Sequence, residues 1–343
     1  MTWYIDQGPE SDVIVSSRVR LARNLNHYPF PHRMDSQQAR QAADEIVQAF
    51  YRGDEERKRN YLMVDLDTLN DEDRLSLAEK RLISDDLARK GQQHRAIISR
   101  DESVSIMINE EDHIRIQSMQ AGMNLEAAYE AAAQAAMILE HSLSLAYNEK
   151  YGFLTACPTN TGTGMRASVM AHLPGLNMSG RIKDTIDGLT KLGFAVRGYY
   201  GEHSKSQGNL LQISNQLTLG ISEEDLINDL KRMLQQLIEQ ERKVRRELYR
   251  RQPLPLEDRI MRAYGILSQA RLIQTDEAVS LLSDLRLGVS LGLLRDLHET
   301  DINRIQNAIG PASIQKAHGR AMTPEERDGA RAAVIRDLLP KKQ

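Results

Sequence analysis

A long amphipathic helix that runs into the segment RRQPLPLED limits how this chain can fold more than any other feature. Ser222 caps a helical pattern that continues to about Tyr249, with Leu226, Leu230, Met233 and Leu237 as its apolar stripe. Residues 250–258 then carry Pro253 and Pro255, which lack amide donors and break the helix. Upstream the pattern mixes strands with helices; downstream it is helical throughout. With 343 residues the chain can build two cores. We expect a first domain over 1–250, a linker over 251–257 and a helical domain over 258–343.

In the first part, residues 36–50 set Ala39, Ala43, Ile46, Val47 and Phe50 on one helical face, with Asp35 or Ser36 as the cap. Ser103 to Ile108 alternates, so Val104, Ile106 and Ile108 point one way, as in a half-buried strand. Phe194–Arg197 and Leu210–Ile213 read as two further strands around a glycine-rich loop. No strict βαβ rhythm links these elements. The expected class is α+β, a largely antiparallel sheet flanked by helices, followed by an all-α C-terminal domain. In that last part Thr275 and Thr300 start helices, and Thr323-Pro324-Glu325-Glu326 forms a capping box.

Composition excludes several classes. A formal charge of −3 leaves no global basic field for nucleic acid. One cysteine precludes an intrachain disulfide and suits a reducing compartment. No apolar run reaches the length of a membrane span, and the first residues lack a basic apolar signal, so a cytoplasmic location is expected.

The segment Cys157-Pro-Thr-Asn-Thr-Gly-Thr-Gly164, with Arg166 beyond it, carries the chemistry most visibly. Its glycines would let backbone amides approach an anion, and the arginine adds a charged, forked donor. No Gly-Lys-Ser/Thr follows, so it is not a Walker A loop. Arg18 and Arg20, two apart in an extended run, project from one face. Arg115 follows an acidic turn and Arg197 precedes a second glycine-rich loop. A single arginine is usually a solvated surface residue. Five of them at strand ends beside glycine or acidic loops suit phosphoryl transfer, where charge spreads over three equatorial oxygens.

Two acids complete the pattern. Glu110-Glu111-Asp112 ends an apolar strand, and Glu202 sits in Arg197-Gly-Tyr-Tyr-Gly-Glu202. Carboxylates from separate loops could hold a guanidinium by paired hydrogen bonds, and one could take its proton as a phosphoryl group arrives. Cys157 is either a packed small side chain or a thiolate near a cationic substrate. The histidine and cysteine spacing fits no structural zinc site. Magnesium riding on nucleotide phosphates needs few protein ligands.

The motifs CPTNTGTGMRAS, SSRVRLAR, NEEDHIR and RGYYGE…ISN, all within residues 12–245, resemble the phosphagen (guanidino) kinases. That resemblance implies ATP and Mg²⁺, with Arg18, Arg20, Arg115, Arg166 and Arg197 on the phosphates. It extends the nucleotide contacts to Ser17, Val19, Ala167, Ser168, Val169, Met170, Gly198, Tyr199, Tyr200 and Gly201. It implies Glu111 as catalytic base, Glu202 as its partner and Cys157 beside the substrate, with an adenine contact near Asp86. Only fifteen residues precede SSRVR, where kinases of small guanidines carry a helical domain, and a helical module lies beyond the catalytic part. This arrangement is similar to the bacterial protein-arginine kinases of the Clp stress response.

The resemblance further implies protein substrates engaged through arginine, a Clp unfoldase or protease, a zinc-binding activator, a heat-shock repressor and a homodimer. No direct nucleic-acid or membrane partner is expected. Arg327-Asp328-Gly-Ala-Arg331-Ala332 matches that group's RDxxRA motif, an allosteric phosphoarginine pocket, with Arg327 and Arg331 one turn apart as two prongs. The rival expectations are a kinase of a free guanidine and a non-catalytic phosphoarginine-binding adaptor.

Overall fold

The computed structural model describes residues 2–89, 91, 93–198 and 207–340. Its strands are β1 (Ile14–Arg23), β2 (Tyr61–Asp65), β3 (Arg95–Ser99), β4 (Val104–Ile108), β5 (Ile114–Ala121), the short ribbon β6 (Tyr147–Asn148) and β7 (Gly152–Phe153), then β8 (Met165–His172), β9 (Phe194–Gly198) and β10 (Leu210–Asn215). Eight of them form one sheet in the order β2-β3-β4-β5-β1-β8-β10-β9, every neighbouring pair antiparallel. β1, from the start of the chain, lies between β5 and β8.

Strand periodicity sorts the two faces. Val19, Leu21, Ile114, Ile116, Ala167, Val169 and Ile213 turn one way and are buried. They meet three helices: Ser36–Tyr51 through Ala42, Ala43, Ile46 and Phe50; Leu125–Ser142 through Ala128, Ala132 and Leu139; and Glu223–Arg251 through Leu226, Leu230, Leu234 and Leu237. Each large aliphatic side chain buried here contributes about 1.5–3 kcal/mol. Asp35 caps the first of these helices in a capping box with Gln38, and Ser222 accepts from Asp225 N–H on the last. β4 differs from expectation. All five of its residues are buried, because the segment from Leu66 to Ala88 covers the face that carries Met107 and packs Leu82, Ile83 and Leu87 there.

The proline-bearing segment 251–257, expected as a linker, is almost wholly helical. Arg251 ends one helix and Pro253 opens the next, Pro253–Gln269, with only Gln252 between them. Prolines tolerated in a helix's first turn explain this: their missing amides have no intrahelical partner there. The remaining helices, Thr275–Ser290, Glu299–Ala308, Pro311–His318 and Pro324–Leu338, enclose a second core of Ile260, Leu267, Leu282, Leu285, Ile302, Ile305 and Ile335. Thr323 caps the last helix with Glu326. Thr275 opens its helix as expected, after Gln274 as cap, whereas Thr300 is the second residue of a helix that Glu299 opens and His298 caps. The helical part docks on the sheet part through a His172–Ser283 hydrogen bond of 2.8 Å and a Lys316–Asp73 ion pair of 3.0 Å.

Candidate active site

The face of the sheet opposite the helices is cationic, and its composition is set by register. Arg20 lies opposite Arg166 on β8 and opposite Gln117 on β5; Arg18 lies opposite Ser168; Ala22 lies opposite Arg115. On the next strands Ser214 pairs with Ser168, and Gln212 pairs with Arg197. Period two therefore puts Arg18, Arg20, Arg115, Arg166 and Arg197 on one surface, with Gln117, Ser168, Gln212 and Ser214 between them. Arg18 donates to Gln212 Oε1 at 2.8 Å and to Ser168 Oγ at 3.4 Å, while Arg166 donates to Ser214 Oγ at 3.4 Å.

This surface stores positive potential. Arg20 is pulled below the ordinary guanidinium range to about 9, by burial first, then by Arg115 and Arg166. Arg18 is lowered strongly, by burial first, then by Arg20, Arg81 and Arg166. Guanidinium groups keep their protons in proteins. The depression therefore reflects burial first and mutual repulsion second, and an anion with several oxygens would offset both.

Alternation also corrects the expected contact set. The side chains of Val19, Ala167 and Val169 lie in the apolar core, and Ser17 is fully buried with its hydroxyl on Gly122 O. Of the segments 17–20 and 166–170, only Arg18, Arg20, Arg166, Ser168 and Met170 share the cationic face. Gly198 ends β9 opposite Leu211. Tyr199, Tyr200, Gly201 and Glu202 lie outside the described residues.

The acidic turn flanks the arginines. Arg115 pairs with Glu110 and, at 2.8 Å, with Glu111. Glu110 is 3 % exposed and also accepts from Ser84 Oγ, whereas Glu111 is 47 % exposed. The two acids thus divide. Glu110 is spent on structure, and Glu111 faces a cleft of about 340 Å³ lined by Asp86, His94, Glu110, Glu111 and Arg115. Asp86 stands at this cleft as an exposed acid, 3.5 Å from Arg89.

Asp112 ties the acidic turn to the cysteine loop. Fully buried, its Oδ1 accepts from Asn24 Nδ2 and from Ala156 N–H, both at 2.7 Å. Burial pushes its carboxyl up, against these donors. Cys157 follows Ala156, half-exposed, with Sγ 3.0 Å from Thr159 Oγ1. The glycines of this loop serve packing and not an anion cradle. Gly162, at φ +118°, lies where a Cβ would come 2.2 Å from Thr218 O, and Gly164, at φ +64°, where one would come 2.6 Å from Ala22 O. The loop amides of Asn160, Thr161, Gly162 and Thr163 donate to carbonyls of Cys157, Pro158, Phe153 and Thr218.

Three participants carry no sequence signature. Arg81 comes after the helix Asp71–Glu79 in a turn at φ +60°, and its charge is felt by Arg18. Ser84 holds Glu110, and His94 lines the cleft. Lys80-Arg81 reads as an ordinary basic pair after a helix; only the fold brings it to the sheet.

In the tail, the two-prong reading needs correction. Arg331 is 1 % exposed, donating to Ile309 O at 2.9 Å, to Ile273 O at 2.8 Å and to Asp328 Oδ1. Ala332 is buried beside it, while Arg327 is half-buried. Arg331 turns inward because three oxygens converge where its helix meets the loops before Gln274 and Gly310.

Comparison with known proteins adds to this geometry. The family model described as ATP:guanido phosphotransferase, C-terminal catalytic domain, matches residues 41–244, and that of the Protein-arginine kinase McsB C-terminal domain matches 253–343. Among curated relatives, the protein-arginine kinase of Moorella thermoacetica is 44 % identical over 338 residues, covering 98 % of this chain and 97 % of that one. That of Bacillus subtilis is 42 % identical over 338 residues, covering 98 % and 93 %. Among solved structures, the duplicated taurocyamine kinase of Schistosoma mansoni with bound transition state analog components is 29 % identical, with a TM-score of 0.62. The match covers 71 % of this chain and 35 % of that duplicated one. Lombricine kinase, 24 % identical with a TM-score of 0.60 and 71 % of each chain covered, shares the fold.

Proposed function

This chain belongs to the ATP:guanido phosphotransferases and, within them, to the protein-arginine kinases, and from that premise we propose how its residues phosphorylate arginine in proteins. Arg18, Arg20, Arg115, Arg166 and Arg197 grip the triphosphate of ATP. The observation that carries this is their arrival, from four strands, on one face where burial and mutual repulsion leave an anion wanting.

A guanidino nitrogen of the substrate arginine attacks the γ-phosphorus in line. The N–P bond forms as the bond from phosphorus to the β–γ bridging oxygen breaks, and ADP leaves. The proton released by the guanidinium passes to Glu111, whose exposed carboxylate faces the cleft. Glu202 and Cys157 are proposed as further contacts of the guanidinium. Positioning and a preorganised cationic field supply most of the rate. Mg²⁺, when bound, neutralises developing phosphate charge; it fits this site as a passenger on the nucleotide, since the sheet face itself is cationic.

The phosphorylated arginine would mark proteins for Clp-type proteolysis and stress regulation, with a Clp unfoldase or protease, a zinc-binding activator and a heat-shock repressor as partners of a cytoplasmic homodimer. Family resemblance supports that part. No helix among the described residues is long and apolar enough to cross a membrane. In the tail, phosphoarginine recognition is proposed for Arg327 and Asp328, with Arg331 and Ala332 joining only by leaving their present partners.

The test is mass spectrometry of an arginine-rich protein, kept out of acid, after incubation with MgATP. Acid-labile phosphate on arginine is expected. Recovery of phosphoserine or phosphotyrosine alone overturns the reading, and turnover of free arginine without protein modification replaces it with the small-guanidine rival.

A further inference from the structure

One carboxylate joins the helical tail to the nucleotide face. Glu79 ends the helix Asp71–Glu79, and its two oxygens grip the start of the tail helix Pro311–His318. Oε1 accepts from Ala312 N–H at 2.8 Å; Oε2 accepts from Ser313 N–H at 2.8 Å and from Ser313 Oγ at 2.7 Å. Unpaired first-turn amides and a negative charge suit one another. Gly310 makes the room: a Cβ there would lie 2.1 Å from Glu79 Oε2.

Immediately after Glu79 the chain enters the turn that reaches the site. Arg81 comes two residues later, with its carbonyl accepting from Gln117 Nε2 of the cationic face at 2.6 Å. Ser84 comes five residues later and holds Glu110, which in turn pairs with Arg115 beside Glu111. On the tail side, Arg331 Nε holds Ile309 O, one residue before Gly310. Hydrogen bonds joined by short stretches of chain (309–312 and 79–84) thus lead from the RDxxRA helix through Ile309 and Glu79 to Arg81 and Glu110.

We propose that Glu79 is a positioning residue: by clasping the tail helix it fixes the turn 80–84, and so makes grip on ATP depend on this one contact with the helical domain. The inference rests on the assignment of the cationic face to ATP. Elements linked by packed hydrogen bonds couple by about 0.5–2 kcal/mol, a two- to thirtyfold effect.

Full-length protein and three variants decide it, by steady-state KM for MgATP and kcat measured well below each melting temperature. Glu79→Gln removes the charge and leaves one acceptor oxygen. Gly310→Ala keeps an ordinary backbone, φ −61° and ψ 147°, and only displaces the Glu79 carboxylate. Asp73→Ala breaks the Lys316 ion pair of the same interface without touching the turn. Glu79→Gln and Gly310→Ala should each raise KM for ATP about fivefold, with kcat changed less, while Asp73→Ala keeps the parental KM. Parental KM in both clasp variants overturns the proposal, as does an equal rise in Asp73→Ala. Should Glu79→Gln fail to fold, Gly310→Ala alone decides. A parent protein that consumes no ATP overturns the underlying assignment instead, and this proposal with it.

Discussion

Arg20 and Arg166 stand directly opposite each other across the β1–β8 pairing, two guanidinium groups where a sheet ordinarily places opposite charges or apolar partners. Like charges in that position destabilise the sheet. The pair therefore weakens the unliganded fold in exchange for a ready-made anion site.

Replacing Arg20 by Gln should raise the melting temperature of the ligand-free protein by a few degrees, because it removes a cation whose charged state burial and Arg115 disfavour. The same change should cost about 100- to 1,000-fold in kcat, and Lys should restore little, lacking the planar fork. Thermal melting with and without MgATP, together with steady-state turnover, checks it. An Arg20→Gln variant that melts lower than the parent and keeps its turnover refutes both halves.

Glu111→Gln should lower kcat by about 100- to 10,000-fold while leaving KM for ATP near the parental value, since general-base catalysis acts on the acceptor and not on the nucleotide. Glu110→Gln should behave differently. That side chain is buried and, besides pairing with Arg115, holds Ser84 and the turn before it, so its loss should weaken ATP binding as well. Equal behaviour of the two variants contradicts the division of labour between them.

Asp112→Ala should destabilise the protein by about 2–4 kcal/mol, because two buried donors, Asn24 Nδ2 and the Ala156 amide, lose their acceptor. Asp112→Asn retains a carbonyl oxygen at that position and should cost much less. Urea unfolding distinguishes them; an equally severe loss in both would assign the effect to charge.

His113 predicts an acid-sensitive step. It is fully buried, its Nδ1 accepts from Leu25 N–H at 3.3 Å, and burial pulls its imidazole from 6.5 to about 4. An unfolded chain takes up this proton below pH 6.5 and the folded one only near pH 4. Stability present above pH 6.5 is therefore lost as pH falls through that window, by about 3 kcal/mol. His172, also buried and lowered, acts in the same direction. Unfolding free energies at stepped pH should show a shallower slope in His113→Gln; an unchanged slope rejects the assignment.

Local pattern made part of this molecule legible. Alternation in SSRVR put Arg18 and Arg20 on one face, and TPEE marked a capping box at Thr323, because both are decided within a few residues. Register between strands about 150 residues apart is written in no local pattern. Nothing local marks Arg81 or Ser84, which only the fold brings to the sheet, and a linear motif joins Val19, Ala167 and Val169 to neighbours whose side chains, by alternation, point the other way. The glycines of the cysteine loop match an anion cradle in sequence alone; their neighbours Thr218 and Ala22 come from distant segments. A helical wheel makes Arg331 a surface prong because it carries no information about the carbonyls of Ile273 and Ile309.

The place of β1 between β5 and β8 has a consequence for synthesis on the ribosome. The first strand made waits for a partner that emerges about 150 residues later, and β10, which completes that side of the sheet, later still. Until then Arg18 and Arg20 have neither Arg166 nor Gln212 for company. A nascent chain short of residue 215 therefore lacks the assembled cationic face, and pairing so distant in sequence folds slowly. The cluster of five arginines comes together late, and only in chains that have been completed through the sheet.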